Sequence, residues 1–484
     1  MPKTFLWHDY ETFGRDPARD RPVQFASIRT DENLEEIEDG TMIYCRQSPD
    51  YLPDPGACMV HGVLPQTANE KGLCEFQFAS EVHRLMATPD TCTAGFNSIR
   101  FDDEFTRQLL FRNLFDPYSR EWRNHNSRWD LIDVVRLARA LRPQGIEWPT
   151  DADDKPTNRL ELITAANGIE HGDAHDALAD VRATIAVAKL LKDKQPKLFN
   201  YAYQHRNKHW ILGTALNLVK REPILHISGM YPATSGHLSM VMPLAPHPTN
   251  ANGVLVYDLR HDPQDLINLS ADQLRERIFT SSKNLPEGTK RIAIKTVHAN
   301  RCPVLVPVNT LDEATAKKWQ LDRNTCLQHR ETLLASKGLL EKLGAVFTRH
   351  HQTEAADPDL TLYSGSFASD KDRAAMQKLH TELNTGKPVE YHNFSFDERF
   401  KELSFRLMAR NWPDSLDAID EQRFRALCFE RVHQGSDGFR SIEQYRELLA
   451  ELQNSATTAK EFDTAKQLTV YGDEIAAYSG RITA

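Results

Sequence analysis

Short apolar runs alternate with longer amphipathic stretches through the first 195 residues of the chain. Thr4-Phe5-Leu6-Trp7-His8-Asp9-Tyr10 reads as a strand, apolar where it begins and acidic toward its end. Helical spacing follows from Glu104 to Leu114, where Phe105, Leu109 and Leu110 share a face and Asp102 is placed as the N-cap. A second helix is predicted from about Asp130 to Leu141. A third starts after Pro156, with Asn158 and Glu161 at capping-box spacing, and stops at Asn167-Gly168. A fourth runs from about Asp176 to Lys194 and is ended by Pro196. Strands mixed with helices of this length predict an α/β layered fold.

The texture then changes. From Glu222 to about Val308 short β-rich runs dominate, among them Ile224-Leu225-His226-Ile227, Gly253-Val254-Leu255-Val256-Tyr257 and Arg291-Ile292-Ala293-Ile294-Lys295. Pro and Gly turns separate them, which predicts a small barrel or sandwich. Helical periodicity returns at Thr310, and the polar stretch from His350 to Pro358 reads as a linker. Beyond Asp370 the pattern is almost wholly helical, as from Asp397 to Arg410 with Phe400, Leu403 and Leu407 in step. The expected domains are therefore 1–195, 196–350 and 357–484.

Composition narrows the function classes. The 484 residues are 40% apolar and 26% charged, with 59 Lys plus Arg against 68 Asp plus Glu, a net charge of −9. That excludes a histone-like polycation but leaves room for a nucleic-acid enzyme with locally concentrated base. No apolar run approaches the roughly 18 residues of a membrane span, and Met1-Pro2-Lys3-Thr4 lacks the layout of a secretion signal. The seven cysteines form no C-x-x-C pair, so neither a zinc cage nor a disulfide framework is expected, and a cytoplasmic location fits.

The chemistry lies in scattered acids. Asp9 and Glu11 are two apart on a strand, so both side chains take the same face. At the end of a buried strand, paired carboxylates repel each other unless a divalent cation sits with them. Asn97-Ser98-Ile99-Arg100-Phe101-Asp102-Asp103-Glu104 opens one helix and His175-Asp176-Ala177-Leu178-Ala179-Asp180 opens another. Asp103 and Glu104 complement the first helix's dipole. Asp9, Glu11, Asp102 and Asp180 with His175 make up the donor set of a two-metal phosphodiesterase: hard oxygen ligands for two cations and an imidazole able to take a proton from water. With no thiolate and one candidate imidazole, Mg²⁺ is the expected metal, two per site, with Mn²⁺ as a substitute.

The order D-Y-E, N-x-x-x-F-D, H-x-x-x-x-D resembles the DnaQ-like (DEDDh) 3′→5′ exonuclease superfamily. The likeness extends to the bacterial exonuclease I family through His8-Asp9-Tyr10-Glu11-Thr12-Phe13-Gly14, Asp20-Arg21-Pro22-Val23-Gln24-Phe25-Ala26, Asn126-Ser127-Arg128-Trp129-Asp130, His205-Arg206-Asn207-Lys208-His209 and Cys302-Pro303-Val304-Leu305. The resemblance implies an RNase H-like exonuclease domain, an SH3-like β-barrel domain and an all-helical C-terminal domain around a strand-binding channel. It implies single-strand-specific 3′→5′ exodeoxyribonuclease activity that releases 5′-mononucleotides and serves DNA repair and recombination. It also implies Asp9, Glu11, Asp102 and Asp180 as metal ligands, His175 as general base, and Glu11 and Arg159 as substrate-binding residues. The C-terminal tail of single-stranded DNA-binding protein is the implied protein partner, with Arg142 and Tyr201 at family positions for it; Asp312 departs from the pattern by placing an acid where a base is expected. Monomer is the default state.

Binding a single strand calls for cations along the backbone and aromatic faces for the bases. Nine arginines lie between Arg100 and Arg142, interleaved with Tyr118, Trp122 and Trp129, though seven acids share that span. Gln195 to Arg221 is cleaner: Lys197, Arg206, Lys208, Lys220 and Arg221 with Tyr201, Tyr203 and Trp210, and no acid. The expected DNA contacts are Arg107, Tyr118, Trp122, Arg136, Arg206 and Lys208. Three alternatives share parts of this reading: a proofreading subunit, which need not carry a barrel and helical tail; an exoribonuclease of the same superfamily; and a non-catalytic single-strand-binding scaffold, which would be expected to lack a metal ligand or His175.

Overall fold

The computed structural model describes residues 3–172, 176–348, 357–385 and 389–480. The chain folds as two compact units. One takes in Met1–Arg128, His171–Arg182 and Thr353–Ala484, the other Trp129–Glu170 and Ala183–Gln352. No helix among the described residues is long and apolar enough to cross a membrane, and all seven cysteines are free thiols.

The first unit is built on a mixed sheet of β1 (Thr4–Thr12), β2 (Pro22–Thr30), β3 (Thr41–Tyr44), β4 (Thr91–Gly95) and β5 (Ser127–Asp130), in the order β3-β2-β1-β4-β5. Central β1 runs antiparallel to β2 and parallel to β4. Its apolar start follows from that position: Phe5, Leu6, Trp7 and His8 are all buried because both faces of the strand are covered. One face carries Leu6 and Tyr10 into a core with Phe25, Phe78, Val82 and Leu109. The other carries Phe5, Trp7, Asp9 and Glu11. Pairing with β4 ends at Trp7 opposite Ala94, so β1 continues past its parallel neighbour and Asp9 and Glu11 become half-buried. At the turn after β1, Gly14 has φ +156°, and a Cβ there would lie 2.1 Å from the Asp20 carboxylate.

Helix starts depart in instructive ways from the sequence expectations. The first helix is Asp102–Arg112, with Phe101 and not Asp102 in the cap position. The Asp102 Oδ1 accepts from the Tyr10 backbone N–H at 3.1 Å, so its side chain joins helix to strand. The helix after Pro156 is Leu160–Ala166 with no side-chain cap, because Asn158 Oδ1 accepts instead from Arg139 Nη1 at 3.2 Å. Leu131–Leu141 is capped by Asp130, and Ala177–Lys194 gives way to a new helix with Pro196 at its first position.

Leu131–Leu141 and Leu160–Ala166 belong to the second unit, whereas helices Asp370–Leu383, Glu398–Asn411, Ala418–Gln434, Ile442–Ser455 and Ala459–Ser479 belong to the first, capped by Ser369, Asp397, Asp417, Ser441 and Thr458. Ser369, Ser441 and Thr458 each form a reciprocal capping box. Most of the expected linker, residues 349–356, lies outside the described residues. Its end is not solvated: Asp357 and Asp359 enter a buried ion-pair cluster with Asp50, Arg406, Arg410 and Arg431.

The second unit contains a wholly antiparallel sheet of β6 (Ile224–Ile227), β7 (Leu238–Pro246), β8 (Gly253–Asp258), β9 (Ile294–His298) and β10 (Val304–Pro307), ordered β10-β6-β7-β8-β9. The run expected from Arg291 starts as a strand only at Ile294. Ile292 N–H donates to Arg277 O and Arg291 to Ile278 O, so these residues serve the end of helix Ala271–Phe279.

The arginine-rich stretch also differs from expectation. Arg120 Nη2 and Arg128 Nη1 grip the buried Asp103 carboxylate at 2.5 and 2.7 Å, and Arg112 is fully buried against Glu75 at 2.8 Å. Burial alone would raise the Asp103 carboxyl pKa, yet Arg120 and Arg128 hold it well below the usual range. Asp103 therefore serves as an interior anchor. Replacing it by Ala would take the closest carboxylate from two buried guanidinium groups and leave Glu121 to serve both, and urea unfolding should show a loss of about 3–5 kcal/mol; a loss within 0.5 kcal/mol would contradict this role.

Candidate active site and its comparison with known proteins

Carboxylates from three elements converge at the open end of β1. Oxygens of Asp9, Glu11 and Asp180 all lie within 4.8 Å of one another. The period of the strand supplies the first two, and the opening turn of helix Ala177–Lys194 supplies the third. Asp102 stands beside this trio through its bond to the Tyr10 N–H. A hydroxyl chain fixes that junction: Thr106 Oγ1 donates to Asp102 O at 2.9 Å, and Tyr10 O–H donates to Thr106 at 3.0 Å.

The electrostatics follow from crowding. Burial, then the charge of Asp180, pushes the Asp9 carboxyl up from 3.8 to about 8. Burial, then Asp9, Asp180 and Asp176, pushes Glu11 up to about 9. Asp102 is raised well above its ordinary value by burial and by Asp9. Such a pocket holds protons or cations. An all-oxygen donor set of this kind suits a hard divalent ion, and Asp9, Glu11 and Asp180, with Asp102 alongside, fit that requirement.

His175 lies outside the described residues. Two further groups escaped the sequence reading. His171 Nε2 meets Asp180 Oδ1 at 2.6 Å, a contact between a loop and a helix that no local spacing announces. Asp176 adds charge to the Glu11 site; its signal was available, because Asp176 and Asp180 are four apart at a helix start. A second convergence, His392 with Asp417 and Asp420, has local uses: Asp417 caps helix Ala418–Gln434, and Asp420 accepts from Tyr391 O–H at 2.5 Å.

The expected substrate and partner residues occupy varied settings. Arg159 is well exposed in the cap position of helix Leu160–Ala166 and pairs with Glu161. Arg107 is buried and bound to Glu121 at 2.7 Å and Glu104 at 2.9 Å. Tyr118 packs against that guanidinium, whereas Trp122 is 63% exposed. Trp129 is buried edge-on against Phe199 and Tyr203 and presents no free face. Arg136 pairs with Asp133, and Gly229 leaves room for its guanidinium, since a Cβ there would come within 2.8 Å. Arg206 stacks 3.7 Å above the Tyr203 ring, and Lys208 is exposed.

Arg142 Nη2 donates to Thr310 O at 3.1 Å, and Tyr201 O–H to Leu305 O at 3.2 Å, with the Tyr201 ring stacked on His205. The unexpected acid, Asp312, is a helix N-cap: its Oδ1 accepts from Thr315 N–H at 2.7 Å and opens helix Glu313–Lys318.

Known proteins share this fold. An exonuclease family model matches residues 6–188, one for the exonuclease I SH3-like domain 206–349, and one for the exonuclease I C-terminal domain 356–475. Exodeoxyribonuclease I of Escherichia coli (strain K12) is 45% identical over 422 residues, covering 87% of this chain and 88% of that one. The structure of a moderately thermophilic exonuclease I from Methylocaldum szegediense superposes with a TM-score of 0.92 at 46% identity, over 98% of this chain and 99% of that one. The zinc-ion-bound form of the E. coli exonuclease I–single-stranded DNA complex gives a TM-score of 0.91 at 41% identity, over 98% and 100%. An α/β domain with clustered carboxylates, followed by an antiparallel barrel-type domain and a helical domain, matched along nearly its whole length at this identity, places the chain in the exonuclease I family.

Proposed function

We propose that this chain is a single-strand-specific 3′→5′ exodeoxyribonuclease that hydrolyses the terminal phosphodiester and releases 5′-mononucleotides. The observation that carries this reading is the meeting of Asp9, Glu11 and Asp180 oxygens within 4.8 Å, in a chain of the exonuclease I family. Asp9, Glu11, Asp102 and Asp180 would hold two Mg²⁺, for which Mn²⁺ can substitute. When bound, the ions neutralise charge that builds on the attacking and leaving oxygens of the substrate. His175 takes the proton of the attacking water. Glu11 and the planar fork of Arg159 position the terminal phosphate. Arg107, Tyr118, Trp122, Arg136, Arg206 and Lys208 contact the strand behind it.

The proposed setting is cytoplasmic DNA repair and recombination, by a monomer of three domains, 1–195, 196–350 and 357–484. Arg142 and Tyr201 receive the acidic C-terminal tail of single-stranded DNA-binding protein, whose carboxylate suits an Arg beside an aromatic ring.

Three outcomes test this reading. Asp180→Ala should lower turnover on a 5′-labelled single strand by roughly a thousandfold or more while single-strand affinity stays near wild type; wild-type turnover would overturn the metal assignment. In the metal-free chain Asp9 keeps its proton up to about 8 when folded and releases it near 3.8 when unfolded. The unfolded state thus binds fewer protons in that window, so stability without metal should fall as pH rises from about 4 to about 8. Mg²⁺ should reverse the fall, and calorimetry at neutral pH should record proton release on metal binding; zero release is the contrary result. Arg142→Ala should weaken binding of the tail peptide by roughly tenfold or more, the worth of a charged hydrogen bond, and unchanged affinity would remove Arg142 from the docking site.

A further inference from the structure

A second charged interior region lies in the first unit, where the residue before β2 meets helices Glu398–Asn411 and Ala418–Gln434. Most of its arginines are matched. Arg406, Arg410 and Arg431 share Asp50, Asp357 and Asp359, and Arg112 takes Glu75. Arg21 is different. Its side chain is 4% exposed, and among the described residues Nε, Nη1 and Nη2 have no hydrogen-bond partner. Glu75 Oε1 lies 4.0 Å from Arg21 Nε and already accepts both Nε and Nη2 of Arg112.

Arg21 lines a cavity of about 500 Å³. Exposed Arg46 stands at its wall, and Leu416, Phe424 and Tyr478 give it an apolar side. Three acids also border it: Glu75, held by Arg112, Glu421, paired with Arg425 at 2.7 Å, and the exposed Asp414. A buried guanidinium with unused N–H groups offers a planar fork suited to tetrahedral oxyanions. Leaving it unmatched is costly, and an anion that accepts two of its N–H groups offsets that cost.

We propose that this cavity binds a phosphate-type oxyanion, with the Arg21 guanidinium as principal donor and Arg46 as a second cation. The phosphoryl group can come from inorganic phosphate or from a 5′-mononucleotide, whose base would lie along the Leu416, Phe424 and Tyr478 wall. Burial, then the neighbouring charge of Arg112, pulls the Arg21 pKa down to about 10 against the opposing pull of Glu75 and Asp50.

Calorimetry of the full chain, with chelator present and chloride as the only buffer anion, tests the site against inorganic phosphate, 5′-dAMP and deoxyadenosine. Saturable binding of phosphate is expected, weakened roughly tenfold or more by Arg21→Gln and to a lesser degree by Arg46→Ala. Tighter binding of 5′-dAMP than of phosphate would assign the site to nucleotides, and equal binding would assign it to the free ion. No saturable phosphate binding, equal binding by Arg21→Gln, or equal affinity for deoxyadenosine would overturn the proposal. Should Arg21→Gln fail to fold, wild-type crystals soaked in tungstate decide: an anomalous peak beside the Arg21 guanidinium supports the site, and none there refutes it.

Discussion

Like charges held together against their repulsion set the terms for this molecule. Two carboxylates whose oxygens lie within 4.8 Å of each other repel by roughly 3–4 kcal/mol or more at an effective dielectric near 20, and the pocket gathers three such groups with Asp102 alongside. The scaffold must oppose that force. Central β1 does so by pairing on both edges, and its apolar half is locked in place by Trp7, whose Nε1 donates to Thr30 at 3.0 Å. Asp102 turns one oxygen toward the Tyr10 amide, so an acid that adds to the crowding also ties its helix to the strand that bears the others.

Much of this was legible in the sequence because it depends on local period. A buried apolar run followed by acids two apart describes β1 closely, and the capping residues of the C-terminal helices stand where their helices begin. What was not legible depends on distant partners. Asp102 looked like a cap, yet its oxygen is claimed by a residue 92 positions earlier. Arg291 and Ile292 looked like strand, yet the end of a neighbouring helix needs their hydrogen bonds.

The arginines make the same point about charge. A census along the chain counts Arg107, Arg112, Arg120 and Arg128 as a basic tract suited to phosphates, but all are buried against Asp103, Glu75, Glu104 and Glu121. These pairs specify how segments meet, and removing one partner strands the other. Arg21 stands out against that background: its nearest carboxylate oxygen, on Glu75, is 4.0 Å away, and among the described residues its nitrogens have no hydrogen-bond partner.

The alternation of β1 also limits how the gene can change. Leu6 and Tyr10 point into one core, while Phe5, Trp7, Asp9 and Glu11 take the opposite side. Inserting or deleting one codon upstream of Asp9 within this strand would exchange the two sets, sending acids into the hydrophobic layer and a phenol into the pocket. Length variation in this segment is therefore all-or-nothing.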